Sequence, residues 1–323
     1  MRLRRSIDNA PWRDREFNSD SMYGFCKPSR FPQFIYMLIF VSCTGNACSQ
    51  PIDTLRIWKW EEVTIPNYTW PRATPFGNGL HVDVAYDPNG VSIVGDRIRF
   101  FVDPTQPKVP NEGDSNYNYR SEIRTAPWKI HHPLGTEQWI GFDYIFSEDY
   151  KIDPTSPITI YQNHPGVTGI PPQFELELAA LSRPRPATGG EVQVVNHTNG
   201  VDSSHPRRGD RIVTSIKPVE GDTLKVIVHV VYGRGEQGLL QIWLNEILCY
   251  DQSTSTVYDD YQWGGNNKWG IYHHTHRRST DVASTQWEGI YNMSLSMGTL
   301  KLLTRYPGQP HYLENAYDLV KPD

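Results

Sequence analysis

Beyond residue 49 the chain keeps a single cysteine, Cys249, because Cys26, Cys43 and Cys48 all fall in the first 49 residues. A lone cysteine excludes an internal disulfide and a cysteine-based metal cluster, so the body of the protein must be held by its core. Heptads, low-complexity tracts and internal repeats are also missing, which excludes a coiled coil and a solenoid. No long amphipathic helix can be read anywhere. Basic charge is scarce: residues 1–49 hold 7 of the 31 Lys/Arg but only 4 of the 36 Asp/Glu, which leaves a net charge of about −8 on the remainder. So acidic a body argues against nucleic acid as a partner.

Turn formers and rings are what the chain has in quantity. Gly and Pro number 25 each, beside 10 Trp and 18 Tyr, a mixture suited to a sandwich of short strands with aromatic-lined grooves. Apolar alternation marks strands over Leu55–Val63, His81–Tyr86, Val91–Val102, Tyr119–Thr125, Gln138–Phe146, Pro157–Asn163, Gln173–Ala180, Glu191–His197, Arg211–Ile216, Thr223–Tyr232, Leu239–Leu248, Lys268–His274 and Trp287–Met293. Turn chemistry such as Asp-Pro-Asn-Gly and Gly-Gly-Asn-Asn separates them. With no linker-like break, the expectation over residues 50–323 is one all-β domain, a β-jelly-roll sandwich with a concave substrate groove. Residues after Leu303 are expected as a tail packed on the outside, and His131-His132 as surface loop.

Only one apolar run is long, Pro32 to Val41. Lys27 and Arg30 precede it and small residues follow, so residues 1–49 read as a signal or leader segment, removed or disordered in the mature protein. The run is too short for a stable membrane span. Secretion is the expectation, with lipid anchoring at Cys43 as its alternative.

Three stretches carry chemistry. In Lys268-Trp269-Gly270-Ile271-Tyr272-His273-His274-Thr275-His276, strand alternation puts Lys268, Gly270, Tyr272, His274 and His276 on one face and Trp269, Ile271 and His273 on the other. In Arg120-Ser121-Glu122-Ile123-Arg124 the same alternation makes a charged ladder, with Glu122 placed to hold two guanidinium groups. Gln162 and His164 share a face at the end of an apolar strand, before a Pro-Gly turn.

Arg-Ser-Glu-x-Arg, then Gln-x-His, then Lys-x-Gly-x-Tyr, in that order, resembles the β-jelly-roll polysaccharide lyases. Leu239 to Asn245 followed by Lys268 to Tyr272 looks most like the heparin lyase I-like and glucuronan lyase branch. One departure is His273-His274-Thr275-His276, where alginate lyases have Asn-Gln after the tyrosine. The resemblance implies β-elimination from a 4-linked uronic acid, which needs three things of the protein. Donors must neutralise the uronate carboxylate, a task assigned to Arg120 and Gln162 with Lys268 in support. A base must take the C5 proton, for which His164 is the candidate. An acid must protonate the leaving oxygen, and a phenol can do so, which points to Tyr272; beside cations it could also act as the base, giving a syn elimination. Lys268, Arg124, Glu122, His274, His276, Glu175 and Glu177 are expected to bind substrate.

Alternatives follow from other residues. Glu175 and Glu177 share a strand face and would serve a glycoside hydrolase, but the longer Glu-x-Asp-x-Glu run of similar sandwich hydrolases is missing. A metal held by His164, His274 and His276 is opposed by the neighbouring Lys268, Arg277 and Arg278. The non-enzymatic rival is a carbohydrate-binding jelly roll. No cofactor is required, a structural Ca2+ is left open, and a monomer is expected. The partner is an acidic polysaccharide, and the low basic charge favours a glucuronan-like polymer over heparin unless Arg183, Arg185, Arg207 and Arg208 gather with Arg277 and Arg278 around the groove.

Overall fold

The computed structural model describes residues 55–323 apart from 68–73, 78, 85–89, 104–118, 126–131, 149, 154, 168, 181–188, 200, 201, 205–209, 275–282, 287, 291 and 310–314. These residues belong to the unit Cys48–Asp323. The expected leader with Cys43, together with His131, His276 and the six arginines at 183, 185, 207, 208, 277 and 278, lies outside the described residues.

Strands follow one another with little between them. The first seven are β1 (Arg56–Trp58), β2 (Thr74–Phe76), β3 (Leu80–Val84), β4 (Val91–Val94), β5 (Arg97–Val102), β6 (Tyr119–Thr125) and β7 (His132–Pro133). Next come β8 (Glu137–Phe146), β9 (Ile158–His164), β10 (Phe174–Leu178), β11 (Val192–Asn196), β12 (Asp210–Val213) and β13 (Thr223–Val231). The last six are β14 (Leu239–Leu244), β15 (Ile247–Ser253), β16 (Trp263–Gly264), β17 (Asn266–His273), β18 (Met293–Met297) and β19 (Leu300–Arg305).

Among the described residues these strands make two large antiparallel sheets. One runs β12-β11-β10-β9-β17-β6-β3-β2; the other runs β15-β14-β13-β8-β18-β5-β4, with β19 beside β8 and β1 beside β19. Period-two alternation explains how they stack. Trp269, Ile271, Ile123, Phe174 and Leu176 of the first sheet are fully buried, as are Phe100, Phe142 and Tyr144 of the second. Phe142 bridges the layers, with its ring centroid 6.3 Å from Trp269 and 5.6 Å from Tyr161. The result is the expected all-β jelly-roll sandwich, and the first sheet turns its polar positions away from the core.

Several expected boundaries shift. Leu55–Val63 ends as a strand at Trp58 and becomes a 3-10 turn, whose buried Trp60 indole donates to the Gly298 carbonyl at 2.6 Å. Leu239–Leu248 is a hairpin, because Asn245 and Glu246 both adopt left-handed φ of 50° and 68°, the turn geometry that matches strand twist. Val91–Val102 likewise folds back into two paired strands, and the strand expected at Trp287–Met293 is Met293–Met297. The residues after Leu303, expected as a tail packed on the outside, first complete β19, which pairs with β8, and the helix Ala316–Val320 then packs on the outer face of the sheet with Ile227, Leu303 and Trp139. Gly141 leaves room for that helix, since a Cβ there would lie 1.7 Å from the Val320 carbonyl oxygen. His132 is not surface loop either; it is buried in β7, stacked parallel on Tyr232 at 5.5 Å. No helix among the described residues is long and apolar enough to cross a membrane.

Candidate active site

Antiparallel register brings the three motifs onto one face of the first sheet. Across β6 and β17, Arg120 lies opposite Tyr272, Glu122 opposite Gly270 and Arg124 opposite Lys268. Across β17 and β9, Lys268 meets Gln162 and Asn266 meets His164. Directly opposed residues share a face, so about 150 residues of sequence separation collapse into neighbouring side chains. Gly270 has to be glycine here: its φ is +133°, and an added Cβ would lie 2.1 Å from the Ser121 carbonyl oxygen and 2.9 Å from the Glu122 Cα.

One residue at the centre of this face had not been singled out. Asp83 of β3 sits opposite Glu122 and collects three cations: Lys268 Nζ at 3.0 Å, Arg120 Nη1 at 3.3 Å and Arg124 Nε at 3.8 Å. Glu122 shares two of them, with Arg120 Nε at 3.1 Å and Lys268 Nζ at 3.6 Å, and accepts from Gln162 Nε2 at 2.5 Å. Asp83 alternates with His81 on β3, but no pattern within that strand marks its pairing with β6.

Burial sorts these groups into two layers. Lys268 is fully buried and Gln162 and Glu122 nearly so, whereas the Arg120 side chain keeps 19% of its surface and Tyr272 is half-buried. Lys268 and Glu122, expected to bind substrate, lie beneath Arg120 with almost no exposed surface. The Arg120 guanidinium lies 4.3 Å from the centroid of the Tyr272 ring. Burial alone would weaken its charge, but Asp83, Tyr272 and Glu122 hold the Arg120 pKa above its ordinary value. Asp83 is likewise opposed by burial, yet Lys268, Arg120 and Arg124 keep it ionised, well below the usual carboxylate range. Burial pushes the Glu122 carboxyl up, against the pull of Lys268 and Arg120, and pushes the Lys268 ammonium down.

His164 is held neutral. Burial, then the Lys268 and Arg120 charges, keep its pKa well below 6.5. Its Nδ1 accepts the Gly166 N–H at 3.0 Å, so the neutral ring carries its proton on Nε2.

A sheet irregularity aims Tyr272. Between the Trp269–Tyr161 and Tyr272–Thr159 pairs, β17 has two residues where β9 has one, and β9 has one where β10 has none. Such bulges bend and twist a strand. The backbone groups they free are taken by Tyr144 of the opposite sheet, whose hydroxyl donates to the Ile160 carbonyl at 2.6 Å and accepts from the Gly270 N–H at 3.0 Å.

Glu175 and Glu177 stand on the neighbouring β10. His197 Nε2 lies 2.7 Å from Glu175 Oε1, and Thr159 donates to Glu175 Oε2 at 2.9 Å. Arg211 Nη1 and Gln193 both donate to Glu177 Oε2, and His274 Nε2 is 3.9 Å from Oε1. Glu177, expected to bind substrate, is fully buried beneath Arg211 and His274. Among the described residues no group of three or more His, Cys, Asp or Glu could hold a metal ion. A cleft of about 530 Å³ elsewhere, lined by Val63 to Asn67 and Val91 to Ile93, offers neither acid, base nor cation.

A jelly-roll sandwich whose polar face gathers cations, a phenol and an imidazole has the build of an enzyme acting on sugar polymers. The sequence model of the polysaccharide lyase family matches residues 83–291, and the chain belongs to that family. The match runs from Asp83 past Tyr272 and so contains every residue of the cluster. No curated protein matches the chain. Among solved structures, it is similar to an endo-β-1,4-glucuronan lyase from the fungus Trichoderma reesei, with 15% identity over 79% of this chain and 94% of that one and a TM-score of 0.46. It is also similar to the alginate lyase Aly36B solved with alginate trisaccharide (14% identity, 78% and 98% covered, TM-score 0.48) and to an alginate lyase from Alteromonas sp. 272 (12%, 70% and 94%, 0.47). At such identities these likenesses carry no conclusion about substrate.

Proposed function

We propose that this lyase cleaves a 4-linked uronic-acid polysaccharide by β-elimination, with Tyr272 as the proton carrier and a glucuronan-like polymer as the favoured substrate. One observation carries the reading: the Arg120 guanidinium, fixed from beneath by Asp83 and Glu122, is stacked 4.3 Å from the Tyr272 ring. A uronate carboxylate meeting Arg120 therefore has its C5 hydrogen delivered to the phenol. Neutralising that carboxylate makes the C5 proton removable. In the deprotonated form that a base requires, Tyr272 takes the proton; the electron pair forms the C4–C5 double bond as the C4–O bond breaks. The leaving oxygen then recovers a proton from the Tyr272 hydroxyl, so the elimination is syn.

His164 fits the donor role better than the base role. Its Nδ1 lone pair is committed to Gly166 and its Nε2 bears the proton, so it offers an N–H to the carboxylate beside Arg120. The charge balance favours a polymer of moderate charge: three cations, Arg120, Arg124 and Lys268, stand against two carboxylates, Asp83 and Glu122. A surplus of one matches one uronate carboxylate. This supports the glucuronan side of the heparin lyase I-like grouping. A hydrolytic Glu175/Glu177 pair is disfavoured because both carboxyls are buried and bonded to His197, Thr159, Gln193 and Arg211.

The test is mass spectrometry of the products from glucuronan, ulvan, alginate and heparin. Elimination predicts fragments one water lighter than hydrolysis products; fragments of hydrolytic mass would overturn the proposal.

A further inference from the structure

His164 stands where β9 stops. Pro165 follows it, and a proline has no N–H with which to continue the ladder, so at this end the pair Asn266–His164 is the last between β17 and β9. Gly265, one residue further out, has no β9 residue opposite it. A backbone N–H in such a place needs a partner. Gln173, the residue before β10, supplies one by reaching past the end of β9: its Oε1 accepts the Gly265 N–H at 2.8 Å and its Nε2 donates to the Trp263 carbonyl at 3.1 Å. Its own backbone N–H donates to the Asn163 carbonyl at 2.7 Å. One fully buried side chain thus ties β10 directly to the entry of β17, across the gap that β9 leaves. A side-chain amide suits the task because it carries a donor and an acceptor, as the missing peptide would.

The step that Gln173 holds is the one that holds His164. Gly265 packs so near the His164 carbonyl that a Cβ would lie 2.2 Å from its oxygen, and Asn266 Nδ2 donates to the same oxygen at 3.1 Å. On the loop side the Gly166 N–H donates to the ring Nδ1 at 3.0 Å, from a backbone with φ of 76° that suits glycine. We propose that Gln173 is a positioning residue for the elimination: through Gly265 and Asn266 it sets the place of the His164 imidazole, and so of the N–H that meets the uronate carboxylate. This role rests on the lyase reading given above. Gln173 is covered and touches no substrate itself; its effect on the reaction passes through His164. Because the N–H faces charge that grows as the C5 proton leaves, a misplaced ring weakens the transition state more than the bound substrate.

The experiment is steady-state kinetics of Gln173→Met, alone and combined with His164→Gln, on the uronan that wild type cleaves, beside imidazole nitrogen NMR in which the His164 signal is the one lost in His164→Gln. Gln173→Met should lower kcat about tenfold with KM little changed, within the loss of up to about 10²-fold that a displacement of about 1 Å brings. In the His164→Gln background the same change should cost less than about twofold, since residues acting through one another are not additive. Asn266→Ser, which gives up the bond to the His164 carbonyl and leaves the Gln173 bonds in place, guards against a folding defect in the first variant and should shift kcat in the same direction. A folded Gln173→Met with kcat within twofold of wild type, or with an undiminished loss beside His164→Gln, overturns the role, as does failure of both single variants to fold. Should wild type cleave no polymer, the lyase reading fails, and Gln173 is judged by NMR: a displaced His164 signal in Gln173→Met supports its hold on the ring, and an unchanged signal overturns it.

Discussion

Replacing Tyr144 by Phe tests how the opposite sheet controls the chemistry. The hydroxyl is the partner of two backbone groups released at the bulge, the Gly270 N–H and the Ile160 carbonyl. Leaving a buried polar group unsatisfied costs about 1–3 kcal/mol, so the two together should lower stability by roughly 2–6 kcal/mol. The larger effect is on geometry. Gly270 stands two residues before Tyr272, while Ile160 stands two before Gln162 and four before His164, so relaxing the bulge moves the phenol relative to the carboxylate donors. Displacements of about 1 Å cost up to about 10²-fold in rate. The assay is absorbance of the unsaturated product at saturating polymer, beside thermal unfolding. Tyr144→Phe should lose about 10–100-fold in kcat with KM little changed. Tyr161→Phe is the control: its hydroxyl donates to Asn267 Oδ1 at 2.7 Å, in the buried layer between the sheets, so it should lose stability without a comparable loss of kcat. A Tyr144→Phe kcat within twofold of wild type, or equal losses in both variants, would refute the positioning argument.

Three further outcomes are expected. Lys268→Met takes the fully buried cation from Asp83 and Glu122, leaving them Arg120 and Arg124, and should cost about 3 kcal/mol, the low end of breaking a buried pair, measurable by urea unfolding. His164→Gln retains an N–H donor and should keep far more activity than Tyr272→Phe; abolition of activity by His164→Gln would return the base role to the histidine. Glu175 should support folding in a pH-dependent way. Although burial opposes it, His197 and the surrounding donors lower its pKa to about 2 from 4.5, so its contribution, on the order of 3 kcal/mol, is present above about pH 4.5 and lost as pH falls through 2. The stability gap between wild type and Glu175→Gln should therefore shrink between pH 7 and pH 2.5.

Much of the architecture was legible because alternation is local. Ile123, Trp269, Ile271, Phe174 and Leu176 announce their buried face in sequence, and with it the opposite face that carries Arg120, Tyr272 and Glu175. Turn chemistry was less legible: Asn245-Glu246 lacks the glycine that usually marks a two-residue hairpin, so two strands read as one. Asp83 escaped notice because its importance depends on which strand lies beside β6, a long-range pairing that no local pattern encodes. Layering was also invisible. Sequence places Lys268 and Tyr272 on one face but does not say that Lys268 is covered, which follows only once Asp83, Glu122 and Arg120 are packed around it. His164 shows the same limit, since its tautomer is set by the Gly166 N–H.

The central claim is elimination with Tyr272 carrying the proton, and its most direct measurement is ultraviolet absorbance during incubation with glucuronan, ulvan and alginate, comparing wild type with Tyr272→Phe. Absorbance rising on a uronan with wild type, and falling by about 10²–10⁴-fold in rate in the folded variant, is the predicted result. Undiminished absorbance in Tyr272→Phe would contradict the account.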